Sequence, residues 1–335
     1  MSFGLSFWVS IIAVAALILI AFFGVGAAHL NYLFGVIIPY AAFALFIVGM
    51  IYRVLLWAAR PVPFRIPTTA GQEKSLPWIK QNKIDNPFTA LGAFIRMAFE
   101  VLLFRSLFRN LRTELRSGPK LSYASSKWLW VAALAFHYSF LIILLRHLRL
   151  FTEPVLPVVK TLETLDAFFQ VGVPLLYITD VVLIGAVTYL FLRRVLIPQM
   201  RYISLPADYF PLFLILSIGI TGILMRYFFK VYVIGIKELT MGLISFKPVI
   251  PEGIGVLFYI HLFLVSTLFA YFPFSKLTHM AGVFLSPTRN LANTNRAELH
   301  VNPWNYPVKI HTYEEYEEDF RHFMKDAGLP LEKEE

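Results

Sequence analysis

The chain has no cysteine among its 335 residues. That excludes iron–sulfur clusters held by this chain, thiolate zinc sites, and haem attached covalently through a C-x-x-C-H motif. Charge is scarce as well: 15% of residues are charged against 58% hydrophobic, with a mean hydropathy of +0.65. A water-soluble domain carries roughly a quarter charged residues, so most of this chain is expected to be solvated by lipid. The sequence also lacks an internal repeat, a nucleotide-binding glycine pattern and an H-E-x-x-H zinc motif. No basic n-region precedes the first apolar run, so Leu5–Phe23 is expected to be a retained helix and not a cleaved leader. The formal charge of +9 reports basic loops beside anionic lipid more simply than it reports nucleic acid, and no nucleic-acid partner is expected.

What is present is a series of long apolar runs: Leu5–Val25, Leu33–Trp57, Trp128–Leu148, Phe168–Leu192, Tyr209–Phe228 and Gly253–Phe274. Each is near the ~20 residues that cross a ~30 Å hydrocarbon core. Tyr52, Trp57, Trp128, Trp130, Tyr209 and Tyr227 stand near their ends, where amphipathic rings settle. The expected fold class is all-α: a multi-pass membrane bundle of about six transmembrane helices over residues 1–280, with a tail at 281–335.

Lys and Arg set the expected orientation. Eleven fall in the connection after the second run, from Arg60 to Lys120; Arg193, Arg194 and Arg201 follow the fourth, and Lys276, Arg289 and Arg296 the sixth. The positive-inside rule puts these segments, and both termini, on the cytoplasmic side of the cell membrane. Lys230, Lys237 and Lys247 after the fifth run go against the trend.

Within the 58–127 connection, Asn86–Arg109 reads as an interfacial helix capped by Asn86 with Pro87 in its first turn. A re-entrant or tilted span is the alternative, set against the cost of Arg96, Arg105 and Arg109 in hydrocarbon. Gly118–Lys127 reads as a polar linker. In the tail, Thr312 and Glu315 form a capping box. Tyr313, Tyr316, Phe320, Phe323 and Ala327 then recur at helical spacing up to Gly328 and Pro330. A helix is expected over 312–328, with an acidic face of Glu314, Glu317 and Glu318.

Four of the eight histidines lie in or beside two spans: His137 and His147 on the third, His261 on the sixth, and His279 just past its end. Ionisable side chains in this setting default to a functional reading, against the plainer one of neutral imidazoles bonded to a neighbouring helix. Ten residues rise ~15 Å and leave His137 and His147 on one side of their helix. Eighteen residues are five whole turns, so His261 and His279 share a face. The two spans run in opposite directions. His137 is therefore expected level with His279, and His147 level with His261. Facing pairs of neutral imidazoles are how a bundle holds b-type haem iron. Eighteen residues rise ~27 Å if straight, well beyond ~15 Å; Pro273 lies between and is expected to bend or break the helix.

H-x9-H on one span and H-x17-H on a later one resemble, in spacing and order, the diheme cytochromes b of the respiratory nitrate reductase gamma subunit family. The resemblance covers spans two to six, with one more N-terminal helix here than that subunit's five. The tail, with His300-Val-Asn-Pro-Trp304-Asn and its acidic helix, is similar to the membrane cytochrome of the sulfite-reduction-associated Dsr electron-transfer complex. The resemblance implies two b-type haems on His137/His279 and His147/His261, and a quinone site, taken as menaquinone, near the outer haem. It further implies a cytoplasmic iron–sulfur partner subunit resembling heterodisulfide reductase, and other subunits of a membrane redox complex. The competing class is a cofactor-free transporter or membrane anchor, which inverted repeats would favour.

Arg146 and Arg149 flank His147 and are candidates for neutralising haem propionates or orienting a quinone oxygen. The plainer role is interfacial anchoring. Arg226 and Lys230 read the same way. Asp180 reads as a hydrogen-bonded structural residue before a proton relay. His29, past the first span on the outer side, reads as a solvated loop histidine before a quinone-site residue, and His300, His311 and His322 as surface residues.

Overall fold

The computed structural model describes residues 3–60, 78, 80–118, 120–170, 174–292 and 311–332. It is mainly helical. The helices used below are α1 (Phe3–Gly26), α2 (Ile38–Ala58), α3 (Ala90–Leu103), α4 (Lys127–His147), α5 (Pro157–Asp166), α6 (Ile178–Leu196), α7 (Pro206–Ile223), α8 (Val233–Ile244), α9 (Val256–Tyr271) and α10 (Tyr313–Asp326). Five segments among the described residues are long and apolar enough to cross a membrane: Gly4–Gly26, Leu33–Ala58, Lys127–Leu150, Pro206–Phe228 and Val256–Phe274. The chain is a multi-pass membrane protein.

The fourth expected span is shorter than its composition suggested. It starts at Ile178, not Phe168, and runs 19 residues, ~28 Å of helix. Asp180, Arg193 and Arg194 stand in its first and last turns. Its start is fixed from outside the helix, because Asp166 at the end of α5 accepts the Thr179 N–H (2.8 Å) and the Thr179 hydroxyl (2.6 Å).

Large apolar side chains such as Ile12, Val48 and Leu55 point outward, more than 60% exposed, as expected where lipid is the solvent. The core is a seam of tightly packed residues. Leu214, Leu239, Tyr259 and Leu264 are fully buried and join α7, α8 and α9 to α1 and α2. A second cluster, Leu183, Val187 and Ile215 with Phe136, Phe140 and Ile143, joins α4, α6 and α7. Thus α4 meets the bundle mainly through α6, while α9 packs on α1, α2 and α7.

The connection after α2 departs from expectation twice. Helix α3 begins three residues later than Asn86–Pro87 implied, with Thr89 as its cap (Thr89 Oγ1 accepts from Gly92 N, 3.1 Å). It stops at Phe104, whose φ of +49° is left-handed, before a single turn at Arg105–Phe108. Fourteen residues reach ~21 Å, too short to cross. Its arginines are held within the protein. Arg105 Nε meets Asp85 Oδ1 at 2.6 Å, Arg109 also pairs with Asp85, and Arg96 donates to the Asp85 carbonyl at 3.2 Å. The hydrogen bond from Arg105 holds the Asp85 carboxyl below the usual carboxylate range.

The second departure is a β-hairpin where a linker was expected. Strands β1 (Leu111–Arg116) and β2 (Lys120–Ser125) pair antiparallel, Leu111 opposite Ser125 and Arg116 opposite Lys120. Gly118, at φ +81°, makes the turn. Leu111, Leu115, Leu121 and Tyr123 form an exposed apolar face.

The tail helix α10 forms with its capping box: Thr312 accepts from Glu315 N, and Glu315 accepts from Thr312 N. Glu317 is buried, not part of a free acidic face; it holds Arg321 and the Glu332 N–H. The His300–Trp304 motif and Arg296 lie outside the described residues.

Candidate cofactor site: two histidine pairs

The sixth span breaks at the proline. Helix α9 ends at Tyr271, a tight turn covers Phe272–Phe274, and Ser275 is extended (φ −120°, ψ 177°). A second tight turn, Lys276–Thr278, then leads into His279. This break shortens the eighteen-residue rise to match the ten-residue spacing on α4. Two contacts hold the broken segment against α2. Gly49 leaves room for Pro273, since a Cβ there would sit 2.6 Å from Pro273 Cβ. Arg53 Nε donates to the Pro273 carbonyl (3.0 Å). On the other side Lys276 Nζ reaches Asp208 Oδ1 in α7 (2.7 Å).

The consequence is two facing imidazole pairs. The rings of His137 and His279 have centres 6.0 Å apart and planes at 82°. Those of His147 and His261 are 6.5 Å apart and nearly parallel, at 11°. When two imidazoles bind one metal from opposite sides, each nitrogen about 2 Å from it, their ring centres come about 6 Å apart. Both pairs fit that spacing.

The hydrogen bonds decide which nitrogen is left for a metal. His137 Nδ1 meets the Ala133 carbonyl (2.7 Å), His147 Nδ1 the Ile143 carbonyl (2.7 Å) and His279 Nδ1 the Lys276 carbonyl (2.8 Å). A carbonyl only accepts, so each Nδ1 carries the proton. His261 Nδ1 meets Thr221 Oγ1 at 2.9 Å. The Thr221 hydroxyl proton is directed to the carbonyls of Ser217 (2.8 Å) and Ile218 (3.0 Å), so here too the imidazole donates. In all four the Nε2 lone pair remains, the arrangement found behind metal-ligating histidines.

None of the four rings is in the packed core: His147 and His279 are exposed, His137 and His261 half-buried. Phe104 and Phe136 each stand edge-on to His137 (4.9 Å). No group of three or more His, Asp or Glu that could hold a bare metal ion occurs among the described residues. Two imidazoles facing each other from separate segments suit a metal whose remaining ligands come from a flat macrocycle.

Arg146 and Arg149 do not present free charge beside the pair. Arg146 is buried and ion-paired with Asp166 (3.1 Å) and Asp180 (2.7 Å). Its guanidinium lies 3.7 Å from the ring centre of Tyr177, and Arg226 covers that ring at 3.9 Å. Arg149 pairs with Glu163 (2.8 Å). Asp180 also accepts from the Tyr227 hydroxyl (2.8 Å), which receives the Tyr177 N–H (3.0 Å). Tyr227 sits on a π-turn, Leu224–Phe228, that ends α7. Arg146, Asp180, Arg226 and Tyr227 stand out one by one in the sequence; their joining with Asp166 and Tyr177 in one network does not.

A helical membrane bundle with imidazole pairs at two levels is the arrangement expected of a membrane cytochrome b. The family described as nitrate reductase gamma subunit matches residues 94–294, and the chain belongs to that family. The match begins in α3, so α1 and α2 lie outside it and the expected inclusion of the second span is not met. Two curated proteins extend the similarity. The Hdr-like menaquinol oxidoreductase cytochrome b-like subunit of Archaeoglobus fulgidus is 45% identical over 280 residues, 82% of this chain and 83% of that protein. The protein of the same description from Archaeoglobus profundus is 44% identical over 275 residues, 80% of this chain and 81% of its own.

Proposed function

We propose that this chain is a diheme cytochrome b subunit that carries electrons between menaquinol in the cell membrane and a cytoplasmic iron–sulfur subunit. That partner resembles heterodisulfide reductase, within a respiratory complex linked to sulfite or sulfate reduction. The observation that carries the reading is that four imidazoles in two pairs each commit Nδ1 to a hydrogen bond and keep Nε2 for iron. His137 and His279 would hold one haem, and His147 and His261 the other. The family and the names of the two relatives support it.

Bound haem supplies one-electron chemistry. The chain's own residues do the rest. The Nδ1–H bonds fix the tautomer and angle of each ring. Helix α4 sets the two levels ~15 Å apart along its axis, and the Pro273 break brings His279 to the first level. The basic connection and α10 face the cytoplasm, with both termini, so electrons leave past the His137/His279 level. The absence of cysteine suits a subunit that hands electrons to clusters in another chain.

The test is a dithionite-reduced spectrum of the purified protein with a haem-to-protein ratio. Two b-type haems per chain are expected. A colourless, correctly folded protein would leave the cofactor-free alternative.

A further inference from the structure

We propose that Arg146, gripped by Asp166 and Asp180, is a positioning residue that sets the reduction potential of the centre at His147/His261 without touching it. The inference rests on the haem reading above.

Three observations carry it. Arg146 directly precedes His147 at the end of α4 and is 7% exposed, so its charge is poorly screened by solvent. Its partners are on other elements. Asp166 ends α5 and Asp180 opens α6, so the ion pairs lock the end of α4, and His147 with it, against both. The surrounding charges balance. Arg146 and Arg226 lie on the two faces of Tyr177, against the carboxylates of Asp166 and Asp180.

Reduction of ferric iron adds one negative charge. A carboxylate nearby opposes that step and a guanidinium favours it, with an effect that grows as solvent is excluded. Since Arg146 is ion-paired with two carboxylates, it acts through its field and through the position of His147, not by binding a propionate or quinone.

The signs are therefore opposite for the two sides of the ion pair. Asp180→Asn keeps the shape and the acceptor for Arg146, turns the Tyr227 side from acceptor to donor, and removes a negative charge. It should raise the reduction equilibrium of the His147/His261 centre about tenfold, which is 59 mV for one electron. Arg146→Gln should lower it by a similar factor, and Arg146→Lys should restore it. The centre at His137/His279, ~15 Å away along α4, should stay where it is in every variant.

Potentiometric titration of the full-length protein in detergent or nanodiscs, followed by the visible spectra of both centres, reads all of this. Shifts of one sign for both charge removals, or equal movement of both centres, would overturn the proposal and leave a merely structural role. Should Arg146→Gln fail to fold, Asp180→Asn decides alone: an unmoved potential with the centre intact refutes it. A wild-type protein without haem would remove the functional reading itself, a separate result.

Discussion

The imidazole planes of His147 and His261 lie 11° apart, whereas those of His137 and His279 cross at 82°. Hydrogen bonds to Nδ1 fix both arrangements. The orbital splitting of low-spin ferric iron follows the angle between its axial ring planes, so the two centres should differ. Electron paramagnetic resonance should give two distinct low-spin signals, the more anisotropic one from His137/His279. His137→Ala or His279→Ala should remove that signal alone, and His147→Ala or His261→Ala the other. Loss of one signal in both His137→Ala and His147→Ala would refute the pairing.

Gly49 supplies a second test. A larger side chain there cannot coexist with Pro273 at its present place. Gly49→Leu should cost about 1–3 kcal/mol by overpacking, and it should push the Pro273 segment, with His279, away from His137. Haem loss confined to the His137/His279 centre is expected in the spectrum; equal loss of both would show general unfolding.

Of all this, the histidine pairing and the break at Pro273 were legible in the sequence, because helical rise and proline chemistry are local rules. The rest needed contacts that no local rule contains. The stretch from Phe168 is apolar enough to read as helix, yet the Thr179 N–H finds its cap on Asp166, thirteen residues back. Arg146 lies 34 positions from Asp180 and 20 from Asp166, too far apart to be matched by spacing. The hairpin was recoverable. Leu111, Thr113 and Leu115 alternate with charged residues up to Gly118, and the alternation resumes at Leu121 and Tyr123, a period-two signal hidden by the density of arginine.

The absence of cysteine makes topology directly testable. Single cysteines at Ser122 in β2 and at Asp319 in α10 should both react with an impermeant reagent in inside-out vesicles and be protected in intact cells. Labelling from opposite sides would put an odd number of crossings between them and refute the shared level of His137 and His279.

Asp85 gives a pH dependence. Its carboxyl titrates below 3.8, its ordinary value, chiefly through the hydrogen bond from Arg105. A depressed carboxylate contributes stability that is full above the unfolded value and is lost as pH falls through the folded one. Proteolysis of the connection around Arg105 and Arg109 should therefore be slow at neutral pH and accelerate below about pH 4. Asp85→Asn should bring the fast rate to neutral pH; an unchanged rate in that variant would show the cluster to be dispensable.

Helix α10 is fourteen residues long, marginal alone in water, and shows Tyr316, Phe320 and Phe323 to solvent. Deleting Tyr313–Glu335 should leave both haems bound and their reduction by quinol intact, while weakening copurification of the iron–sulfur subunit. Haem loss on truncation would instead make the tail part of the cytochrome's own fold.

The hydrogen bonds behind the histidines also bear on the order of manufacture. His137 and His147 are oriented by carbonyls four residues back on their own helix, so α4 presents both rings ready-angled as soon as it is helical. His261 depends on Thr221, forty residues earlier and on another helix. His279 depends on a turn that Pro273 and Ser275 must first create. One half of each imidazole pair is thus a property of a single inserted helix, and the other half exists only after the last helices have docked. Cofactor loading would then be a late checkpoint on bundle assembly, with α4 waiting as the fixed jaw of two clamps.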